Sequence, residues 1–83
     1  MKYEDVNKAL AEEFPNFQIN KDDLDLPYVV AGDFARFLLE MYQQKNMDEI
    51  AKGLSFIENL HHSADHNVQE LATIGYLEGI QNV

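Results

Sequence analysis

Apolar residues recur every three or four positions through most of the chain, and this spacing predicts helices. Four segments show it, at approximately residues 2–14, 27–44, 47–64 and 67–82. Charged and polar residues fill the positions between, as they do on amphipathic helices that pack through one face. Strand-like alternation of apolar and polar residues never extends beyond a few positions. The sequence therefore predicts an all-α fold.

Helix-terminating residues separate the four segments. Pro15 stops the first helix, and Pro27 suits the first position of the second, where its missing N–H costs nothing. Asn46 and Asn67 are each followed three residues later by a glutamate, which is the spacing of a capping pair. Short connections make neighbouring helices antiparallel. We predict one domain over residues 1–83, a compact four-helix bundle whose last two helices form an antiparallel hairpin.

The second helix is apolar on more than one face. Its main stripe consists of Val30, Phe34, Phe37, Leu38 and Met41. The residues that widen this stripe are Tyr28, Val29, Leu39 and Tyr42. Such a helix lies at the centre of a bundle or presents part of its surface to a partner. On the third helix, the predicted buried face consists of Ile50, Leu54, Ile57, Leu60 and Ala64.

Two glycines lie one turn apart in the last helix, at Gly75 and Gly79. Each costs about 1 kcal/mol of helix propensity relative to alanine, so the pair requires a structural reason. Small residues at this spacing form a groove that another backbone can approach closely. We expect the third helix to fill this groove; the alternative is a partner chain.

The chain is strongly acidic, with 15 acidic and 6 basic residues and a net charge of −9. No lysine or arginine follows Lys52, whereas Glu58, Asp65, Glu70 and Glu78 do. This charge repels nucleic acid and anionic membranes, so neither is expected as a partner. It attracts a basic protein, or it serves solubility alone.

Several aromatic residues lie beside the main apolar stripes rather than within them. Tyrosines at such positions are typical of interfaces, and here they share their helices with acidic residues. The predicted partner-binding residues are Tyr28, Tyr42, Phe56, Glu58, Glu70, Tyr76 and Glu78. The alternative is that these aromatic residues only widen the buried faces of a small bundle.

Reactive groups are sparse. The chain has no cysteine, and its serines and threonine lie in no nucleophile motif. His61, His62 and His66 are clustered, and His62 and His66 have the spacing of two ligands on one helix. A cap at Asn67 would end the helix between them, so they are weak metal candidates. We predict no catalytic residue, no metal and no cofactor.

The N-terminal residues contain no apolar signal segment, and no stretch reaches the roughly 18–20 apolar residues of a membrane span. A cytoplasmic location is therefore expected, without contact with a membrane.

The segment from Asn67 to Leu71, with residues 74–82, resembles the C-terminal signature of a family of small uncharacterised bacterial all-helical domains. That signature reads Val-Gln-Glu-Leu, then Gly-Phe-Leu-Glu, then Leu-Gln-Asn; this chain has Tyr76 and Ile80 at the Phe and Leu. Residues 31–37 are similar to the same proteins, so the likeness spans about residues 27–82. Such domains resemble immunity or antitoxin-like proteins, and no functional residue carries over from them.

Charge, tyrosines and resemblance together predict a non-enzymatic interaction module, an immunity-like protein that neutralises a basic partner. The alternative is a structural or regulatory domain that forms a homodimer through the Gly75 and Gly79 groove and the wide second helix. A third hypothesis is a metal-binding protein that uses His61, His62 and His66.

Overall fold

The computed structural model describes residues 1–82, which form helices and loops with no strand among them. Helix α1 is Val6–Glu13, α2 is Pro27–Gln43 and α3 is Met47–His61. Helix α4 covers residues 66–81 in three parts: α-helical His66–Glu70, π-helical Leu71–Leu77 and α-helical Glu78–Gln81. Short 3₁₀ helices are Tyr3–Asp5 and Lys21–Asp23. The predicted all-α fold is confirmed.

The helix N-termini follow the predicted chemistry at α3 but not at α4. The side chain of Asn46 accepts a hydrogen bond from the Glu49 N–H at 3.3 Å, as predicted. At α4 the cap is Asp65, whose carboxylate accepts from the Asn67 N–H at 2.9 Å. The predicted cap at Asn67 is wrong because Asp65 has an extended backbone that aims its carboxylate at the first turn.

A cluster of aromatic rings forms the centre of the core. The Phe34 ring of α2 lies 4.9 Å from the Phe14 ring and 5.2 Å from the Phe17 ring, both in edge-to-face geometry. Phe14 also meets Phe56 of α3 at 6.0 Å. Phe14 and Phe17 flank the turn that ends α1, so α1 and the loop after it cover one side of the α2–α3 pair.

Helix α4 packs between α2 and α3, parallel to α2. Along α4, Gly75 faces Tyr28 and Ala31, whereas Gly79 faces Ala35. Both series of contacts advance in the same direction along the chain, which establishes the parallel orientation. Helix α3 runs the other way, since Ile50 near its start meets the end of α4; the last two helices are thus antiparallel, as predicted.

The buried face of α3 is rotated from the predicted one. Leu54 was expected to be buried but is exposed, and Gly53 and Phe56 are buried instead. Ala64, also expected on this face, is exposed in the loop after α3. A β-carbon placed on Gly53 would lie 2.6 Å from a methyl carbon of Leu38, so any larger residue here requires the Leu38 side chain to move. Within residues 1–82, no helix has both the length and the hydrophobicity needed to cross a bilayer.

Candidate protein-interaction surface

Two of the predicted partner-binding residues belong to the core. Phe56 and Tyr76 are buried, so their predicted position at the edge of an interface is wrong. The Phe14 ring, at the end of α1, covers Phe56 of α3. Helical spacing within α3 does not reveal this contact, because it joins two different helices. The three predicted acidic residues, Glu58, Glu70 and Glu78, are exposed, as residues available to a partner must be.

Tyr76 is buried because it continues the buried face of α4, on which Val68, Leu71, Ala72 and Gly75 precede it at helical spacing. Two of these residues are small, whereas the larger Ile74, which was expected to be buried, is exposed. The Tyr76 ring lies 5.9 Å from the Phe34 ring and 6.3 Å from the Phe56 ring. Its hydroxyl has no hydrogen-bond partner among the described residues, and burial raises the pKa of Tyr76 well above the ordinary value.

The glycines of α4 are in close contact with α2. A β-carbon on Gly75 would lie 3.1 Å from the Ala31 β-carbon, and one on Gly79 would lie 3.3 Å from that of Ala35. The expectation that α3 fills this groove is wrong, and since α2 occupies it, a second chain does not fit there. The small residues Ala31, Gly32 and Ala35 of α2 face the two glycines, and this complementarity lets α4 pack closely on α2.

Tyr28 and Glu70 form one surface where α2 and α4 begin. The Tyr28 ring packs against Gly75, and its edge would be 3.3 Å from a β-carbon there. Partial desolvation, followed by the negative charge of Glu70 and the nearby Tyr3, raises the pKa of Tyr28. The side chain of Ile74 is exposed beside Glu70 in a shallow cleft on α4.

An apolar groove lies at the opposite end of the bundle, and we call it the α2–α3 groove. Its lining residues are Ala35, Leu38, Leu39, Tyr42, Ile50, Leu54 and Ile80. The groove has a volume of about 270 Å³ and is open to solvent. Tyr42 is 62% exposed and Leu54 is 49% exposed, which is unusual for large side chains that border a core. Of the predicted partner-binding residues, Tyr42 lies here.

The α2–α3 groove exists because α4 is shorter than the slot that it occupies. Helix α4 ends at Gln81, and Ile80 forms one end of the groove. Beyond that point α2 continues to Gln43 and faces the first turns of α3, and no part of residues 1–82 covers the exposed apolar side chains there.

Basic residues are concentrated away from this groove. Lys2, Lys8 and Lys21 belong to the N-terminal segment, and two more bases turn toward it. The Lys52 amine donates to the carbonyl of Glu13 and lies 4.9 Å from the centre of the Phe14 ring. Arg36 pairs with Asp33 in a cleft that it shares with Phe17. Lys45 is the base that remains near the groove.

The acidic residues of α3, α4 and their connection are Asp48, Glu49, Glu58, Asp65, Glu70 and Glu78.

Within residues 1–82, the three histidines are not gathered with other potential metal ligands. Helix α3 ends at His61 and α4 begins at His66, so the spacing of His62 and His66 loses its helical meaning. His62 lies 3.9 Å from Glu58 and pairs with it when protonated. In the part of the chain that the structure describes, no three potential ligands converge on one point.

The spacing of apolar residues does not predict most of the groove. It predicts that Leu54 is buried, and it includes Ile50 and Ile80 in the apolar faces of their helices without indicating a groove. The available signal was the excess width of α2, which already included Leu39 and Tyr42. Where that excess would remain uncovered depended on the length of α4 relative to α2.

A protein-family profile described as "Domain of unknown function (DUF7674)" matches residues 7–83. Neither the search of curated proteins nor the search of solved structures found a match.

Proposed function

The chain belongs to the DUF7674 family, and we propose that it is a non-catalytic module that binds a basic protein through the α2–α3 groove. The observation that carries this proposal is an exposed apolar groove in a chain whose net charge is −9. Large exposed apolar side chains at neighbouring positions are typical of interaction sites.

The dimensions of the groove favour a protein side chain over a small molecule. Its volume of about 270 Å³ lies at the lower limit of the range of small-molecule pockets, which is roughly 300–1,000 Å³. It is also open, so it would bury one face of an incoming group rather than enclose it. Tyr42 offers a large amphipathic ring at its rim, the kind of residue that dominates binding energy at protein interfaces.

The charge of the chain favours a basic partner. A net charge of −9 steers cationic proteins toward the molecule and repels acidic ones. The bases that would weaken this field belong to, or are turned toward, the N-terminal segment, apart from Lys45. Of the acids of α3 and α4, Glu49 and Glu78 lie within two residues of the groove residues Ile50 and Ile80, so these two are among the charges that a protein seated on the groove would meet first.

The resemblance of residues 27–82 to small immunity or antitoxin-like proteins favours a toxin as the partner. In this proposal, the module acts in the cytoplasm of a bacterium and covers the active surface of a basic toxin. Complementary charges would then give fast association that weakens as salt is added.

Affinity capture with matched variants tests the proposal. Leu54→Gln removes an apolar groove residue, and Ile74→Gln changes one of similar exposure, 47%, at the other end of the bundle. We expect the wild type and Ile74→Gln to capture the same basic protein from the native lysate, and Leu54→Gln to lose it. Binding of the purified partner should then weaken by at least about tenfold between roughly 50 and 500 mM salt.

Two results would contradict the proposal. Equal capture by both variants would place the binding site outside the groove. An association rate that does not change with ionic strength would remove the electrostatic part of the argument.

A further inference from the structure

The α2–α3 groove lies between the same two helices against which α4 packs. Helix α4 lies in the slot between α2 and α3 and ends at Gln81, where Ile80 closes one end of the groove. The walls beyond are the same two helices that hold α4. A helix laid between these walls would therefore pack against the same two helices as α4 does.

The uncovered part of the α2 wall is about one helical turn long. From Leu39 to Tyr42, the exposed groove residues of α2, the helix advances by roughly 5 Å at about 1.5 Å per residue. A helix laid along this wall presents a pair of apolar side chains at positions i and i+4 on one face. A cavity of about 270 Å³ accommodates such a pair but not a folded surface of larger depth.

The lining and the surroundings of the groove differ in chemistry. All its lining residues are apolar or aromatic. Glu49 directly precedes the groove residue Ile50 on α3, so a carboxylate borders the apolar wall there. A helix that fits must be apolar on the face turned inward and basic along its flanks.

We propose that the groove accepts a basic amphipathic helix of the partner protein, seated between α2 and α3 beside Ile80. The inference rests on the proposed function and specifies the partner's binding element. Helix-in-groove recognition requires what this site provides: an apolar trough between two helices, with charge on its borders. A second copy of this chain is a poorer occupant, because each copy carries a net charge of −9.

The test uses three helical peptides of about 14 residues, a length at which a side-chain staple is needed to hold the helix. The first is built from leucine and lysine, with leucines at i and i+4 on one face. The second has the same composition in an order that spreads the leucines around the helix. The third replaces the lysines of the first with glutamates. Binding to the ¹⁵N-labelled chain is followed by NMR, with light scattering of the free chain alongside.

We expect the first peptide to shift amide signals of α2 after Ala35, of α3 before Ser55 and of Ile80. The scrambled and acidic peptides should bind at least about tenfold more weakly. Leu54→Gln should weaken the first peptide by about tenfold, whereas Ile74→Gln should not change it.

Each contrary result has a distinct meaning. Equal binding of the scrambled peptide at the groove overturns the helix assignment and leaves a protein-binding groove in place. Shifts confined to surfaces outside the groove, or no binding of any peptide, overturn this inference, while partner capture with Leu54→Gln still decides the proposed function. A dimer in light scattering that protects the groove would make a second copy the occupant, and would overturn the inference as well.

Discussion

Gly75 of α4 and Ala31 of α2 lie so close that a β-carbon on the glycine would be 3.1 Å from that of the alanine. This spacing is tighter than nearly all contacts between real side chains. The pair holds α4 in parallel contact with α2 and thereby fixes where α4 ends relative to the α2–α3 groove. A change at either residue acts on the fold and on the groove together.

Gly75→Ala should lower the free energy of unfolding by about 1–2 kcal/mol. Overpacking costs roughly 1–3 kcal/mol, and the better helix propensity of alanine recovers up to about 1 kcal/mol of it. The matched control is Gly32→Ala, because a β-carbon on Gly32 meets nothing within 4 Å. That variant should gain about 0.5–1 kcal/mol. Urea denaturation of both variants checks the pair, and equal effects would show that close packing does not matter at Gly75.

The sequence allowed prediction of the helices but not of how each is rotated. Pro15, Pro27 and Asn46 mark helix ends by backbone chemistry that acts locally, and the structure has those ends. The face that α3 buries includes Gly53, against which the Leu38 side chain of α2 packs. Glycine has no apolar side chain, so it does not count in a hydrophobic stripe. Such a contact joins two helices, so spacing within one helix does not reveal it.

The same limit applies to the candidate site. Tyr76 is not at its predicted edge position because the small residues Ala72 and Gly75, and not Ile74, face the core on α4. Tyr28 and Tyr42 are exposed, as the width of the α2 stripe predicts. The groove beside Tyr42 arises from the relative lengths of three helices, which are a property of the assembled bundle.

Tyr76→Phe should raise the free energy of unfolding by about 1 kcal/mol. The variant keeps the ring in its aromatic cluster and removes a buried hydroxyl that has no partner among the described residues. An unsatisfied buried polar group costs roughly 1–3 kcal/mol, and some of this is recovered when the group is deleted. Urea denaturation at neutral pH measures it. A loss of stability would indicate that the hydroxyl is hydrogen-bonded in solution, for instance to a buried water.

The stability of the wild type should fall as the pH rises above about 10. Burial raises the pKa of Tyr76 in the folded state, so the unfolded chain loses this proton first, near the ordinary pKa of about 10. The contribution is complete below that pH and declines above it, by up to about 1.4 kcal/mol per pH unit for one proton. Tyr76→Phe should show a shallower decline, and Tyr42→Phe serves as the control at an exposed position. Equal slopes for Tyr76→Phe and wild type would assign alkaline unfolding to other groups.

Asp65→Ala should destabilise the chain by about 1–2 kcal/mol. The Asp65 carboxylate caps α4 through the Asn67 N–H and also accepts from the Tyr3 N–H at 3.2 Å, so it ties the N-terminus to the bundle. Loss of an N-cap alone costs roughly 0.5–2 kcal/mol. Glu12→Ala, at an exposed position on α1, is the control. Thermal and urea unfolding measure both, and hydrogen exchange near Tyr3 should accelerate in Asp65→Ala alone.

Phe56→Ala and Tyr42→Ala should separate stability from binding, although both residues look alike as predicted interface aromatics. Phe56 contacts Phe14 and Tyr76 in the core, so its truncation should cost about 3–5 kcal/mol in the free energy of unfolding. Tyr42 is 62% exposed, and its truncation should change stability by no more than about 0.5 kcal/mol. Affinity for the leucine–lysine peptide should respond in the opposite way, and Tyr42→Ala should weaken this affinity several-fold. The reason is that an exposed aromatic side chain at the rim of an apolar groove contributes contact area to a partner and none to the core. A stable Phe56→Ala variant, or a Tyr42→Ala variant that binds as the wild type does, would place the division between core and interaction surface elsewhere on α2 and α3.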